Sequence, residues 1–94
     1  MIKITKWDNA DYLKTPKAVA AYLDAAFEDG DPRVIAKALG NVARAKGISK
    51  IADDVGITKA GLYKALSEKG DPRLSTFIGT LRAMGFELKL KRAA

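Results

Sequence analysis

All three prolines of the chain stand at positions where a helix can begin. Each follows a residue whose side chain is a good helix cap, which gives the pairs Thr15-Pro16, Asp31-Pro32 and Asp71-Pro72. Proline costs no hydrogen bond at the first position of a helix, because that N–H has no partner within the helix. The oxygen of a preceding threonine or aspartate accepts from the first free N–H groups. The sequence therefore predicts helices that begin at residues 16, 32 and 72.

Apolar residues after each of these prolines recur at intervals of three and four residues, as expected for one buried face of a helix. They form three stripes, which are Val19, Tyr22, Leu23, Ala26 and Phe27, then Ile35, Ala38, Leu39 and Val42, then Leu74, Phe77, Ile78 and Leu81. Gly30, Gly47 and Gly85 follow the stripes and can close the helices in a left-handed conformation. The pattern predicts a fold that is mainly all-α.

The segment 48–67 lies between the second and last of these helices and predicts two shorter helices joined by a tight turn. Ala52 is small enough to let the second helix cross close to the first. Gly56, four residues later, can take the positive φ that the turn requires, and Thr58 can cap the second helix. Leu62 lies six residues after Gly56 and can fill the wedge between the helices. This spacing is typical of a DNA-binding helix-turn-helix.

The second helix of such a pair enters the major groove with its first turn. Four residues of this helix face away from Leu62 and Leu66, namely Lys59, Ala60, Tyr63 and Lys64. Lysine can reach guanine acceptors or phosphates, and alanine can contact a thymine methyl group. The candidate DNA-binding residues are completed by Ser49, Lys50 and Thr58. Ser49 and Thr58 fall at predicted helix N-termini, where a hydroxyl can cap the helix, contact a phosphate or do both.

Three further residues of this segment have less obvious roles. Gly61 falls inside a predicted helix, where glycine costs about 1 kcal/mol relative to alanine. It either lets the backbone approach DNA closely or is a tolerated defect. Asp53 and Asp54 lie on the first helix of the pair, and we expect them to form a solvated edge that points away from the DNA phosphates.

Both ends of the chain differ in pattern from its helical middle. Residues 2–6 alternate in polarity and predict a short strand, and residues 1–14 form an N-terminal arm with Trp7 and Tyr12. The arm either covers the first helix or anchors a protein partner. Residues 86–91 also alternate and predict a short C-terminal strand. That strand must pair with residues 2–5 or with the same strand of a second copy, and the second arrangement would make a homodimer.

Composition limits the classes of function. The 94 residues are enough for one domain, which we take as residues 1–94, and the net charge of +6 favours a polyanionic partner. Cysteine and histidine are both absent, which excludes disulfides, zinc–thiolate sites and histidine-based catalysis. Catalysis by carboxylates or lysine stays open, but no residue pattern points to it, so we expect no metal, no cofactor and no enzymatic activity. The sequence shows no membrane span and no secretory signal, so the expected location is the cytoplasm.

The order of these segments is similar to that of a known family. The resemblance covers nearly the whole chain and rests on 11–13 (Asp-Tyr-Leu), 21–23 (Ala-Tyr-Leu), 30–32 (Gly-Asp-Pro), 38–47 (Ala-Leu-Gly-Asn-Val-Ala-Arg-Ala-Lys-Gly), 56–58 (Gly-Ile-Thr), 62–67 (Leu-Tyr-Lys-Ala-Leu-Ser) and 70–73 (Gly-Asp-Pro-Arg). Of these, the block 62–67 is the most specific. The chain resembles the addiction-module antidote family, the HigA-type antitoxins with a phage-repressor-like (Cro/Xre-type) helix-turn-helix.

The resemblance implies a five-helix domain with two roles. Such an antitoxin neutralises a small toxin, typically a RelE-like ribonuclease, and as a dimer represses the operon that encodes both proteins. One feature departs from the family pattern. Typical phage repressors cap the first helix of the motif about two residues before the position of Ser49, and make a phosphate contact with that longer helix.

Three other functions are compatible with the residue patterns. The chain could be a phage-type or chromosomal repressor without a toxin partner, or an adaptor whose helix pair binds protein and not DNA. An enzyme is the least favoured reading, because no constellation of catalytic residues is present. A gel shift with the promoter of the chain's own gene separates a repressor from an adaptor, and a small basic open reading frame upstream would favour the antitoxin.

Overall fold

The computed structural model of the chain describes residues 13–93. The strand predicted for residues 2–6 and most of the N-terminal arm lie outside this range. Five α-helices make up the described part: α1 (Pro16–Asp29), α2 (Pro32–Lys46), α3 (Ile48–Val55), α4 (Lys59–Ala65) and α5 (Leu74–Ala83). The expectation of a mainly all-α fold is confirmed. None of the described helices has the length and apolar character needed to traverse a bilayer.

The first two helices begin where their proline pairs predict. Thr15 Oγ1 accepts a hydrogen bond from the N–H of Ala18 at 3.1 Å, and Asp31 Oδ1 accepts one from the N–H of Arg33 at 2.9 Å. Both caps satisfy N–H groups that the helix itself leaves without a partner. Gly30, with φ of 79°, ends α1 in the left-handed region and lets α2 start two residues later.

The start predicted for the last helix at Pro72 is wrong, because α5 begins at Leu74. Its N-cap is Arg73, which makes no side-chain capping bond, and Asp71 lies outside the helix. Pro72 is half-buried and lines an apolar groove together with Ile35 of α2. Packing between segments therefore places this proline in the connection and not at the first helical position.

The core lies between α3 and the helices around it. α3 packs against α2, α4 and α5, and α1 covers α2 on the other side. Leu39, Val42 and Leu62 are completely buried, and they come from α2 and α4. Phe27 of α1 and Phe77 of α5 contact each other at the edge of this core with ring centroids 6.1 Å apart. α3 thus lies at the centre of the described helices, and α4 packs mainly against α3.

A reversal of the chain follows α5. The N–H of Phe86 donates to the carbonyl of Leu81 at 2.9 Å, and the N–H of Gly85 donates to that of Arg82 at 3.0 Å. With Gly85 at φ of 88°, these bonds form a Schellman motif. Phe86 packs partly against the core, so the chain leaves the domain directly after it.

Among the described residues, the segment 86–91 does not form the strand that the sequence predicts. In the described part of the chain this segment has no strand conformation, and Leu88 and Leu90 are 48% and 104% exposed. A strand needs a neighbour to satisfy its backbone N–H and C=O groups. The alternating pattern predicts which face of a strand would be buried, but it does not show that a second strand is present to pair with it.

Candidate nucleic-acid interface

The start of α3 differs from the sequence prediction. The helix begins at Ile48 with Gly47 as its N-cap, so Ser49 occupies the second helical position and caps nothing. Gly47 has φ of 114° and also ends α2, which brings the two helices into immediate succession. The predicted cap at Ser49 is therefore wrong, because the N-cap lies two residues earlier, at Gly47, which makes no side-chain capping bond. Ser49 and Lys50 are both exposed on the first turn and a half of α3.

The turn between α3 and α4 has the geometry that its residues predict. Gly56 has φ of 87°, and its N–H and that of Ile57 donate to the carbonyl of Ala52 at 2.9 and 3.1 Å. Ala52 is 2% exposed, consistent with the close packing that its small side chain allows. The connection from Val55 to the first residue of α4 takes only three residues.

Thr58 caps α4, and this cap gives a physical role to Gly61. Thr58 Oγ1 accepts a hydrogen bond from the N–H of Gly61 at 2.9 Å. A Cβ atom at position 61 would lie 2.9 Å from the same hydroxyl oxygen, so the hydroxyl would have to shift. Glycine at this position therefore leaves room for the cap. Neither reading offered by the sequence, close approach to DNA or tolerated defect, included this contact.

The two faces of α4 separate as predicted. Leu62 is completely buried and Leu66, directly after the helix, is 1% exposed. Four residues on the opposite face are exposed, namely Lys59, Ala60, Tyr63 and Lys64, and we call them the α4 surface. Tyr63 is 40% exposed. The α4 surface is thus presented by a short, capped helix that two leucines fix to the core.

Charges around the α4 surface are unequal. α4 contains two lysines and no acidic residue, and the last turn of α2 adds Arg44 and Lys46. On α3 the predicted contact Lys50 forms an ion pair with Asp54 at 3.2 Å, while Asp53 is exposed. Asp53 and Asp54 are exposed, but the pairing of Asp54 with Lys50 places this carboxylate next to a predicted DNA contact and not away from it. Lys50 thus has part of its charge balanced within its own helix.

Sequence reasoning missed Arg44, which the structure places beside the α4 surface. Its guanidinium carbon lies 5.8 Å from the centroid of the Tyr63 ring, and its Nη2 donates to Asn41 Oδ1. Asn41 Nδ2 in turn donates to Tyr22 Oη at 2.8 Å. The spacing of Asn41 and Arg44 on one face of α2 was available as a signal, but their contacts with α1 and α4 were not.

Tyr22 is the buried end of this chain of contacts. The residue is 1% exposed, and burial raises the pKa of its phenol above the ordinary value, while the hydrogen bond from Asn41 and the charge of Arg44 act in the opposite direction. The phenol is therefore neutral near pH 7 and can accept from Asn41. Two hydrogen bonds thus connect the buried Tyr22 to Arg44 at the surface of the domain.

Comparison with known proteins places the chain in a family. Residues 3–92 match the model of the family described as "probable addiction module antidote protein". The chain belongs to this family. It is also similar to an uncharacterised protein of Haemophilus influenzae, with 32% identity over 91 residues that cover 97% of this chain and 94% of the relative. No solved structure matches the chain significantly. The matched residues include all five helices.

Proposed function

We propose that this antidote-family protein is the DNA-binding antitoxin of a toxin–antitoxin module. It would bind operator DNA through a helix-turn-helix formed by α3 and α4, repress its own operon, and neutralise a RelE-like toxin encoded beside it. In this proposal it acts in the cytoplasm as a homodimer, as a binding protein and not as an enzyme.

The observation that carries the DNA-binding part is the α4 surface. Lysine side chains that lack acidic neighbours on their own helix suit phosphate and guanine acceptors. The helix is short, capped by Thr58 and anchored by Leu62, so it projects from the core as a rigid ridge. Ala60 and Tyr63 lie between the lysines and can contact base edges or sugars without bringing a negative charge to the groove.

The homodimer is proposed from the geometry of operator recognition and from the C-terminal segment. One helix pair contacts too few base pairs for a specific site, and proteins of this type place two recognition helices about 34 Å apart on successive major grooves. Leu88 and Leu90 are exposed, and within the described part of the chain their segment has no strand conformation. Pairing of residues 86–91 with those of a second copy would satisfy the backbone and cover these leucines.

The toxin partner is proposed from family membership, because an antidote of an addiction module acts on a toxin. A small RelE-like ribonuclease is the class of toxin that the sequence resemblance implies. The N-terminal arm is the proposed contact, since Trp7 and Tyr12 are of the residue types that commonly anchor protein interfaces. Deletion of residues 1–12, which keeps the buried Leu13 in the core, should then weaken toxin binding and spare DNA binding.

The decisive experiment measures binding to a duplex that carries the sequence upstream of the chain's own gene. Fluorescence anisotropy should show tighter binding to this duplex than to a random duplex of equal length, at the same salt concentration. Equal binding to both would refute the repressor role. The antitoxin role is tested separately, by co-purification with the product of the neighbouring gene and by rescue of growth when that product is expressed.

A further inference from the structure

We infer that Arg44, together with Tyr63, forms a second phosphate-binding element of the DNA interface, held in place by Asn41 and Tyr22. The inference rests on the proposed DNA-binding function and extends it from α4 to the last turn of α2. It assigns a DNA contact to a residue outside the helix pair and a positioning role to two residues that do not reach the surface of α4.

The first step is the fixed position of the guanidinium. Arg44 lies over the face of Tyr63 at 5.8 Å, within the distance at which a cation and an aromatic ring attract each other. The hydrogen bond to Asn41 Oδ1 holds the group from a second side. A flexible side chain that is already ordered loses less entropy when it binds a ligand.

The second step is that this charge is available. Asn41 offers a neutral amide oxygen, and in the described part of the chain no carboxylate lies within ion-pair distance of Arg44. By contrast, Lys37 and Lys50 have acidic partners in Glu68 and Asp54. A guanidinium has five N–H donors in a planar fork that matches a phosphate, and the bond to Asn41 occupies one of them.

The third step is the space that lets the guanidinium lie there. Arg44 folds back along α2 above Gly40, where a Cβ atom would come within 3.3 Å of its Nη1 atom. The absence of a side chain at position 40 therefore leaves the guanidinium free to lie toward the C-terminal end of α4. Because the Arg44 guanidinium lies next to Tyr63, it borders the α4 surface. One strand of a DNA backbone can therefore contact both Arg44 and the α4 surface.

The anchor of this element is the hydrogen bond between Asn41 and Tyr22. Since Tyr22 is buried in α1, the bond of 2.8 Å fixes the amide of Asn41 so that its oxygen faces Arg44. Asn41 is thus a positioning residue, which acts on DNA only through Arg44. Loss of Asn41 should therefore have no effect on DNA binding once Arg44 is gone.

The test compares Arg44→Gln with Arg33→Gln, using the upstream duplex and a random duplex of about 30 base pairs. Both variants remove one positive charge from α2, but Arg33 lies in its first turn, beside Asp31, and Arg44 in its last. We expect Arg44→Gln to weaken binding to both duplexes about tenfold and to lower the salt slope by about one unit. Arg33→Gln should change the affinity for either duplex by no more than about twofold and should leave the salt slope unchanged.

Several results would overturn the inference. If the wild-type protein binds DNA and the two glutamine variants behave alike, Arg44 contacts no phosphate although the proposed function stands. A loss confined to the upstream duplex, with an unchanged salt slope, also contradicts a phosphate contact. If the wild-type protein binds neither duplex, the proposed function itself fails.

Three further variants test the positioning role of Asn41 and the need for a planar guanidinium. Asn41→Ala should weaken binding less than Arg44→Gln, and the double variant should be no weaker than Arg44→Gln alone. Additive losses would contradict action through Arg44. Arg44→Lys keeps the charge but not the planar fork, so the salt slope should stay at the wild-type value while affinity falls. Thermal melting by circular dichroism checks that each variant is folded.

Discussion

Gly40 of α2 lies against the backbone carbonyl oxygen of Leu66, with no room for a side chain between them. A Cβ atom at position 40 would overlap that oxygen and would also come within 3.3 Å of the Leu66 Cβ atom. Because the oxygen belongs to the backbone directly after α4, it cannot move without moving the helix. This contact sets how closely α4 approaches α2, and so where the α4 surface stands relative to Arg44.

The first prediction is that Gly40→Ala destabilises the domain. Alanine is the better helix former by about 1 kcal/mol, but separating α2 from the end of α4 should cost roughly 1–3 kcal/mol more than this gain. Gly79→Ala is the matched control, since a Cβ there would lie 3.6 Å from Val55, which is ordinary contact. Urea unfolding should show a loss for Gly40→Ala and a gain for Gly79→Ala. Equal changes in both would mean that the Gly40 contact is unimportant.

One tetrapeptide that occurs twice in the chain shows which helix starts can be predicted from local sequence and which cannot. Gly-Asp-Pro-Arg occurs at 30–33 and at 70–73, and both copies predict a helix start. At the first copy Asp31 caps α2, as predicted. At the second, Gly70 lies against the carbonyl oxygens of Lys64 and Ala65, and the helix starts later. Local capping signals are identical there, so the difference comes from packing between segments, which no local pattern contains.

The candidate site follows the same rule. Exposure of Lys59, Tyr63 and Lys64 could be predicted, because the buried Leu62 fixes which face of α4 points inward. The position of Arg44 beside Tyr63 could not be predicted, because it depends on how α2 packs relative to α4 and not on the residues next to Arg44 in the sequence. The role of Gly61 was also missed, because the position of the Thr58 hydroxyl is a detail of side-chain geometry.

The second prediction concerns Thr58 and Gly61 as a coupled pair. Thr58→Ala should cost about 1 kcal/mol of stability, because the first turn of α4 loses its cap. Gly61→Ala should stabilise the Thr58→Ala protein by up to about 1 kcal/mol through helix propensity, but should stabilise the wild type less, since there it displaces the capping hydroxyl. A double-mutant cycle by urea unfolding measures the difference. Strict additivity would show that the hydroxyl and a Cβ at position 61 do not interfere.

The third prediction is that Lys59→Ala and Lys64→Ala each weaken binding to operator DNA. A lysine that reads a base should also relax specificity by roughly 1–3 kcal/mol, whereas one that contacts only phosphate should lower the salt slope by about one unit. Lys17→Ala, on the exposed face of α1, is the control for loss of a charge. Unchanged affinity in the double variant of Lys59 and Lys64 would remove α4 from the groove.

The fourth prediction is a loss of stability at alkaline pH that depends on Tyr22. Burial raises the pKa of its phenol in the folded state above the ordinary value of 10.0. Above pH 10 the unfolded chain therefore loses this proton more readily than the folded one, so the free energy of unfolding falls as pH rises. Tyr22→Phe should remove this part of the pH dependence, although it also removes the acceptor for Asn41. Unfolding curves between pH 8 and about 11 measure it. Identical slopes for both proteins would contradict the raised pKa.

The last prediction is that residues 86–91 hold two copies together. The exposed Leu88 and Leu90 are two residues apart in a segment that is not a strand within residues 13–93. If the segment is extended, Glu87 and Lys89 would lie on the opposite face. Truncation after Gly85 removes this segment together with Phe86, which packs partly against the core, so circular dichroism must first show that the five helices stay folded. Sedimentation at micromolar concentration should show that the truncated protein is a monomer. Its affinity for the operator should fall far more than the loss of one half-site contact would explain.

A paired substitution separates backbone pairing from burial of the leucines. Leu88→Ser with Leu90→Ser should weaken the dimer, because it removes the apolar face that pairing would cover, while Glu87→Ser with Lys89→Ser should leave it intact. The second variant also removes the charges that discourage further edge-to-edge growth, so it should show more self-association at high concentration. A truncated protein that stays dimeric and binds operator normally would place the dimer interface on a helix face instead. The spacing of the two α4 surfaces would then be set by that face and not by the C-terminal segment.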